Sequence, residues 1–208
     1  MAYLTRARAS RNLPVERKGT KYVARAASHV KTGVPVIIAV RDMLKLANTT
    51  KEVKYMVRNK LIKINGKEVK DVKESVRLFN ILEIDKKYML SILPTGRFEF
   101  VEVKDDSRLC KVTNKKTLKN NKVQLNFHDG SNVISKDKVK VGDSVVLDLE
   151  GKISKIISLE KGKNIFVISG RSIGLSGKIK EVEGKKIKVK FEDLDREVEL
   201  DISHIIIR

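Results

Sequence analysis

Residues 34–71, "VPVIIAVRDMLKLANTTKEVKYMVRNKLIKINGKEVKD", hold helix, helix and hairpin signals in that order, and this order decides the fold. After Pro35, the residues Val36, Ile37, Val40, Leu44 and Ala47 recur at spacings of one, three or four, which keeps them on one face of a helix. Arg41 and Lys45 fall elsewhere on that helix, one turn apart. "TTKE" then reads as a capping box, in which Thr49 accepts from the N–H of Glu52 while Glu52 reaches back to the N–H of Thr49. A second, short helix starts there. Val53, Met56 and Val57 form its buried stripe, and Lys51, Lys54 and Arg58 recur on another face. Cations in line can follow a phosphate backbone, although on a single helix such a row is commonly just a solvated face. "LIKINGKEV" alternates Leu61, Lys63 and Asn65 against Ile62 and Ile64, and Asn65-Gly66 is the strongest short hairpin signal because both residues tolerate positive φ. Lys63, Lys67 and Lys70 lie on or beside this hairpin. Helix and turn are therefore expected to form the two walls of a basic groove.

Upstream, the first 31 residues carry Arg6, Arg8, Arg11, Arg17, Lys18, Lys21, Arg25 and Lys31 against Glu16 alone, with little apolar periodicity. This reads as a basic arm without a core, ordered mainly when its cations meet phosphates. Interleaved Tyr3, Tyr22 and Pro14 favour binding over a merely solubilising tail. Downstream of Asp85 the helical period disappears. "YMLSIL", "RFEFVEV", "LCKVT", "VQLNF", "NVIS", "DSVVLDL" and "KISKIISL" read as strands, separated by turns at Thr95-Gly96, Asp129-Gly130 and Glu150-Gly151. "LEKGKN", residues 159–164, is the expected boundary before a last strand cluster, where "KIKEVEGKKIKVKFED" alternates Ile187, Val189 and Phe191 with Lys186, Lys188 and Lys190 around a Glu183-Gly184 turn. The last 31 residues hold eight basic and eight acidic side chains, so the positive excess lies upstream.

That excess is large. Over 208 residues, 45 basic and 26 acidic side chains leave a net charge of +19 and a pI near 10.0, which attracts polyanions, most often nucleic acid. The hydrophobic content of 41% is compatible with folding into one to three compact units. "GVPVIIAV" at 33–40 is too short to span a bilayer and no signal peptide precedes it, so a soluble, intracellular protein is expected. The single cysteine, Cys110, forbids an internal disulfide or a thiolate metal cluster, and "RLCKV" reads as a strand in which it is a small apolar residue.

"VISGRSIGLSGKI", residues 167–179, raises the question of a phosphate cradle. A Walker loop would need glycine where Ser172 stands and Ser or Thr where Ile179 stands. The dinucleotide fingerprint would need G-x-G-x-x-G before a helix, whereas Gly170, Gly174 and Gly177 lead into strand alternation. These glycines instead permit positive φ and close backbone approach in a β setting. His29, His128 and His204 are isolated, without ligand or general-base spacing; His128 in "FHDG" reads as a turn-flanking polar residue.

The quoted segment 34–71 resembles the two-helix and hairpin RNA-binding module shared by several ribosomal and RNA-modifying proteins. "KNIFVISGRSIGLSGKI" resembles a KOW motif, the glycine-marked strand and loop of SH3-like barrels in ribosomal proteins and elongation factors. The order of arm, module, β domain and KOW motif resembles the archaeal and eukaryotic small-subunit ribosomal protein family S-four, E type, over nearly the entire chain. The family's arm often carries a tryptophan and a Gly-Pro-His segment; this chain has no tryptophan and reads "ASHVKTG", keeping only His29. The end at "SHIIIR" points to the archaeal type. The resemblance implies an α+β, mostly β fold: a basic N-terminal arm (1–33), a helical and hairpin module (34–91), a central antiparallel β domain (92–164) and a C-terminal SH3-like KOW barrel (165–208). It implies a non-enzymatic, structural constituent of the small subunit in the cytoplasmic ribosome, binding rRNA and neighbouring ribosomal proteins without cofactor, metal, membrane or small-molecule substrate. Gly170, Arg171, Gly174, Gly177 and Lys178 then form a loop that can touch RNA or protein. An RNA-modifying enzyme or its accessory subunit would need a catalytic aspartate in an Arg-Leu-Asp context; "GRFEF" has no aspartate, and "DLDREVELD" lies in a strand region at the chain end. A KOW-type transcription elongation factor would not need the arm and module.

Overall fold

The computed structural model describes residues 4–119, 122–191 and 197–208; Tyr3, the last two residues of the alternating stretch (192–193) and the first four of "DLDREVELD" (193–196) lie outside the described residues. The chain is mostly β, with short helices and several antiparallel sheets, and divides into two compact units, Met1–Asp105 and Asp106–Arg208.

In the first unit, strands β1 (Leu4–Thr5), β2 (Tyr22–Val23), β3 (Gly33–Pro35), β4 (Lys63–Ile64), β5 (Lys67–Glu68), β6 (Ser75–Arg77), β7 (Ile81–Glu83), β8 (Lys87–Ile92) and β9 (Phe98–Glu102) form three sheets. These are β1-β2, β3-β6 and the five-stranded β5-β4-β7-β8-β9. The β4–β5 turn uses both permissive residues: Asn65 has φ 51° and Gly66 φ 75°. Its Asn65 Oδ1 also accepts from the N–H of Ile81 at 2.9 Å, which ties the turn to β7 and fixes the register of the hairpin on the sheet. The strand at 98–102, grouped by sequence with the strands downstream, pairs with β8 here because a tight turn joins the two.

The helices follow the pattern in part. Helix α1 (Val36–Ile38) passes directly into a wider π turn, Ala39–Met43, where Leu44 N–H donates to Ala39 O, and the helix stops before Lys45, which has φ 55°. The expected run to Ala47 is therefore too long. Val36, Ile37, Ile38, Ala39 and Val40 are all buried, so packing encloses this segment all round rather than along one stripe. Ala47 is buried too, but from non-helical chain; its spacing imitates the helical period. Helix α2 (Thr50–Arg58) follows expectation in its start and most of its stripe: Thr49 and Glu52 make the full capping box and Val53 and Val57 are buried, whereas Met56, expected beside them, is half-buried.

The arm departs from expectation. It is folded onto its own unit: β1 pairs with β2, Arg6 donates to Thr20 O at 2.7 Å, to Thr20 Oγ1 at 3.0 Å and to Glu16 O, and so closes the 6–20 loop around its guanidinium. Asn12 O accepts from Phe98 N–H and Lys73 O from Ala27 N–H, both at 2.8 Å, while Leu13 and Ala26 are buried. Backbone pairing to other segments supplies the order that the apolar pattern does not announce.

In the second unit, β10 (Ser107–Thr117), β11 (Val123–Phe127), β12 (Asn132–Ser135), β13 (Ser144–Asp148) and β14 (Ile153–Ile157) make a sheet in the order β12-β11-β10-β13-β14. Strand β10 shifts register between Val112 and Asn114; its first half pairs with β13 and its second with β11. Cys110, Val112, Leu125, Phe127, Val145 and Leu147 form the core, and burial pushes the Cys110 thiol up, away from reactivity. The buried Arg108 and Asp129 pair beneath, Asp129 also accepting from Ser131 N–H at 2.9 Å. Strands β15 (Asn164–Val167), β16 (Ser176–Glu183), β17 (Lys186–Phe191), β18 (Glu197–Asp201) and β19 (Ile205–Ile207) form the second sheet, β18-β17-β16-β15-β19, over a core that includes Ile165, Val167, Ile179, Val189, Phe191 and Ile205. Polar groups tie together the two sheets and the segments that connect their strands. Ser144 Oγ accepts from Ile207 N–H at 2.9 Å, Asp143 Oδ1 from Leu159 N–H at 3.0 Å, and Lys111 Nζ donates to Ile202 O.

Candidate nucleic-acid interface

Arg6, Arg25, Arg41, Lys45, Lys54 and Lys73 converge on one hollow of about 830 Å³ in the first unit, with Glu16 and Asp42 as its acidic members. Arm, first helix, second helix and the 72–73 segment each contribute. The last is held under α1 by Ile37 N–H to Val72 O at 3.0 Å and Val36 N–H to Glu74 O at 2.9 Å. Such a concave, cationic surface focuses positive potential on a polyanion.

The cations differ in what they are free to do. Arg6 is engaged with carbonyls of the arm. Arg41 is engaged with Asp42, Nε to Oδ1 at 2.8 Å and Nη2 to Oδ2 at 2.9 Å, and also donates to Thr50 Oγ1 at 3.1 Å; its hydrogen bond to Asp42 raises its pKa further. It thus ties the end of the first helix to the start of the second. Lys45, Lys54 and Lys73 form no ion pair among the described residues. Lys45 reaches the hollow because its left-handed backbone turns the chain after the π segment.

A second, shallower hollow of about 800 Å³ lies along α2, lined by Lys51, Lys54 and Arg58 with Leu46, Tyr55 and Met56 among its apolar members. Glu52 lines it as well, but its carboxylate is committed to the helix start, accepting from Asn48 N–H at 2.7 Å and Thr49 Oγ1 at 2.9 Å; these bonds hold its pKa below the usual range. The helical cations therefore face outward without a local counter-charge.

Lys63, Lys67 and Lys70 are exposed but line neither hollow. The groove walls are arm and helices, rather than helix and hairpin, because β4 is drawn into the sheet by β7, where Lys63 stands opposite Glu68 and Glu83. Arg8, Arg11, Arg17, Lys18, Lys21 and Lys31 are exposed on the arm outside these hollows, and the ammonium of Lys21 lies 5.5 Å from the ring centre of Tyr22. Lys73 escaped sequence reading because nothing in "DVKES" marks it; only its backbone bond to Ala27 brings it to the arm.

The loop between β15 and β16 holds Gly170, Arg171 and Gly174, whereas Gly177 and Lys178, expected in the same loop, lie on β16 and pair with β17. Gly170 (φ 95°) and Gly174 (φ 78°) hold left-handed backbone, and Gly174 N–H donates to Val167 O at 2.8 Å. Gly177 serves close approach instead: a Cβ there would lie 2.7 Å from Lys190 O. Arg171 at the loop and Lys178 on β16 are exposed. Lys111 N–H donates to His128 Nδ1 at 3.1 Å, so this histidine is used in packing.

Comparison with known proteins gives a consistent result. A family model described as Ribosomal family S4e matches residues 84–154. The small ribosomal subunit protein eS4 of Methanocella arvoryzae is 34% identical over 189 residues, 87% of this chain and 81% of the relative. Its counterpart in Halobacterium salinarum is 35% identical over 179 residues, covering 81% and 77%. The crystal structure of the 30S ribosomal protein S4e from Thermoplasma acidophilum superposes with a TM-score of 0.72 at 27% identity, covering 85% of this chain and 95% of that one.

Proposed function

Because the chain belongs to ribosomal protein family S4e, we propose that it is a structural constituent of the small subunit of the cytoplasmic ribosome, binding and organising rRNA among neighbouring ribosomal proteins. The observation that carries the mechanism is the hollow where Arg25, Lys45, Lys54 and Lys73 meet from four separate segments. A phosphate backbone laid there is held by charge from several directions at once, and releases counterions as it binds. The shape of the site supplies orientation, since the arm, the capped helix and the sheet are fixed by hydrogen bonds before RNA arrives. Loops, bulges and minor-groove hydroxyls of RNA are what such a surface reads. The role needs no turnover, and neither Cys110, buried and inert, nor His128, used in packing, supplies a catalytic group.

We also read residues 165–208 as a KOW-type SH3-like barrel whose loop at Gly170, Arg171 and Gly174, with the exposed Lys178 on the adjoining strand β16, meets RNA or a neighbouring protein. Its antiparallel sheet and the two left-handed glycines support that reading. Crosslinking of rRNA to this protein within purified small subunits tests the assignment of the first-unit hollow, and adducts at Arg171 as well would place RNA at the second-unit loop. Adducts on the first-unit hollow support the assignment; absence of the protein from the subunit, or adducts confined to the second unit, would sink it.

A further inference from the structure

Tyr55 is 66% exposed, the most exposed of the large apolar side chains among the described residues. An aromatic ring of this size contributes most when packed, so leaving it in water forfeits a large burial gain. Its place on α2 gives it a use. Lys51, Lys54, Tyr55 and Arg58 stand at i, i+3, i+4 and i+7 and so share one stripe, opposite the buried Val53 and Val57. The stripe runs about 10 Å along the helix, with the ring between cations at both ends. Leu46 and Met56 add an apolar floor beside it. Tyr22, the other exposed tyrosine among the described residues, already has the Lys21 ammonium over its ring.

We propose that Tyr55 is a stacking platform for one unpaired RNA base, with Lys51, Lys54 and Arg58 holding the flanking phosphates; this rests on the rRNA-binding reading above. A base has a flat apolar face for the ring and a charge on either side for the cations, which matches the order cation, ring, cation along the stripe. A protein partner matches it less well, since protein interfaces are depleted in lysine around their aromatic anchors. A paired duplex offers no free base face, so the platform selects single-stranded or bulged RNA.

The test uses the full chain and two probes of equal length, a single-stranded RNA oligonucleotide containing 2-aminopurine and the same strand annealed to its complement. Tyr55→Ala should weaken the single-stranded probe about tenfold and quench 2-aminopurine less. Tyr55→Phe should bind like the unaltered protein, because stacking needs the ring and not the hydroxyl. The salt slope should stay the same in both variants, as no charge is removed. An oligonucleotide with one abasic site at the stacked position should lose the same factor against the unaltered protein and nothing more against Tyr55→Ala. Equal affinity of Tyr55→Ala and the unaltered protein would overturn the proposal, and so would a loss in Tyr55→Phe as large as in Tyr55→Ala. Unchanged RNA affinity with failed entry into subunits would make the ring a protein contact and overturn it as well. In each of those cases the unaltered protein still binds RNA in a salt-dependent way; if it binds neither probe, the broader rRNA-binding reading fails instead.

Discussion

Lysine is abundant in both units, yet it does opposite work in them. Along α2 and the arm hollow, Lys45, Lys51, Lys54 and Lys73 have no ion-pair partner among the described residues. In the C-terminal sheet, lysines alternate along β17 just as densely, but the register sets acidic residues opposite them: Lys188 against Glu199 and Glu181, Lys190 against Glu197. Side chains then close the pairs, Lys186 with Glu199 at 3.1 Å and Lys188 with both Glu181 at 3.0 Å and Glu183 at 2.9 Å. A lysine neutralised across strands makes a soluble outer face of a sheet. A lysine left uncompensated in a hollow attracts a polyanion. Charge density alone does not separate these roles; the neighbours do.

The largest effect that would sharpen the contrast is expected in the second unit. Gly177→Val places a side chain 2.7 Å from Lys190 O and 2.8 Å from Val189 Cγ1, where backbone and core must both shift. A loss of roughly 3 kcal/mol or more is expected, with hydrogen exchange accelerating across residues 164–208. RNA affinity at the first-unit hollow should survive. Equal exchange in the variant and the unaltered chain would show that β16 and β17 do not approach this closely.

Next comes pH. Lys111 is only 4% exposed, donates to the carbonyl of Ile202, and burial lowers its pKa to about 8 from 10.5. Its folded value lies below its unfolded one, so the unfolded chain holds more protons between those pH values and stability rises with pH across that window. The gain attributable to this group is on the order of 2–3 kcal/mol. Thermal or urea unfolding followed from pH 7 to 10.5 should show the rise in the unaltered protein and a flatter profile in Lys111→Met. A falling profile would mean that the amine carries a counter-charge, making the buried lysine resemble those of β17.

How far the sequence revealed this contrast depends on what each feature leaves in the side chains. Strand alternation and the Asn65-Gly66 turn are written in residue types, and the capping box at Thr49 and Glu52 is a side-chain motif, so these elements were legible. The docking of the arm was not, because it rests on backbone bonds such as Phe98 N–H to Asn12 O, which any residue can make. Nor was the end of the first helix: Lys45 adopts left-handed backbone without glycine, while Leu44 and Ala47 continue the apolar spacing. The hollow could not be read for the same reason. Arg6, Arg25, Arg41, Lys45 and Lys54 were visible one by one, but Lys73 was not, and it joins Arg25 and Lys45 only through the fold. Nothing in "RLCKV" marks Lys111 as buried; its contact with the carbonyl of Ile202, far along the chain, comes only from the fold.

Removing charge from α2 tests the open half of the comparison. Lys54→Gln combined with Arg58→Gln leaves Val53 and Val57 in place, so thermal unfolding should change little. Binding to a folded rRNA fragment should weaken at every sequence, and the slope of log affinity against log salt should fall by roughly 1.5. If the variant unfolds instead, these side chains support the helix and the two units use lysine alike.

The smallest effect is expected from the same chemical change on the other side of the comparison. Lys188→Gln removes one cation, as a single substitution on α2 does, but here that cation is shared between Glu181 and Glu183, which raises its pKa. The ammonium is exposed, so water screens the pairs and their loss should move the unfolding midpoint little. Nor should the salt slope for rRNA change, because a charge already balanced by two carboxylates releases few counterions to a phosphate. The substitution even leaves Glu181 and Glu183 uncompensated, which disfavours RNA nearby without touching the first-unit hollow. Measuring the slopes of Lys188→Gln and Lys54→Gln side by side therefore isolates the neighbours as the cause, since the residue lost and the residue gained are the same in both. Equal slopes would mean that β17 meets phosphate directly, and that the cross-strand pairs open when RNA binds.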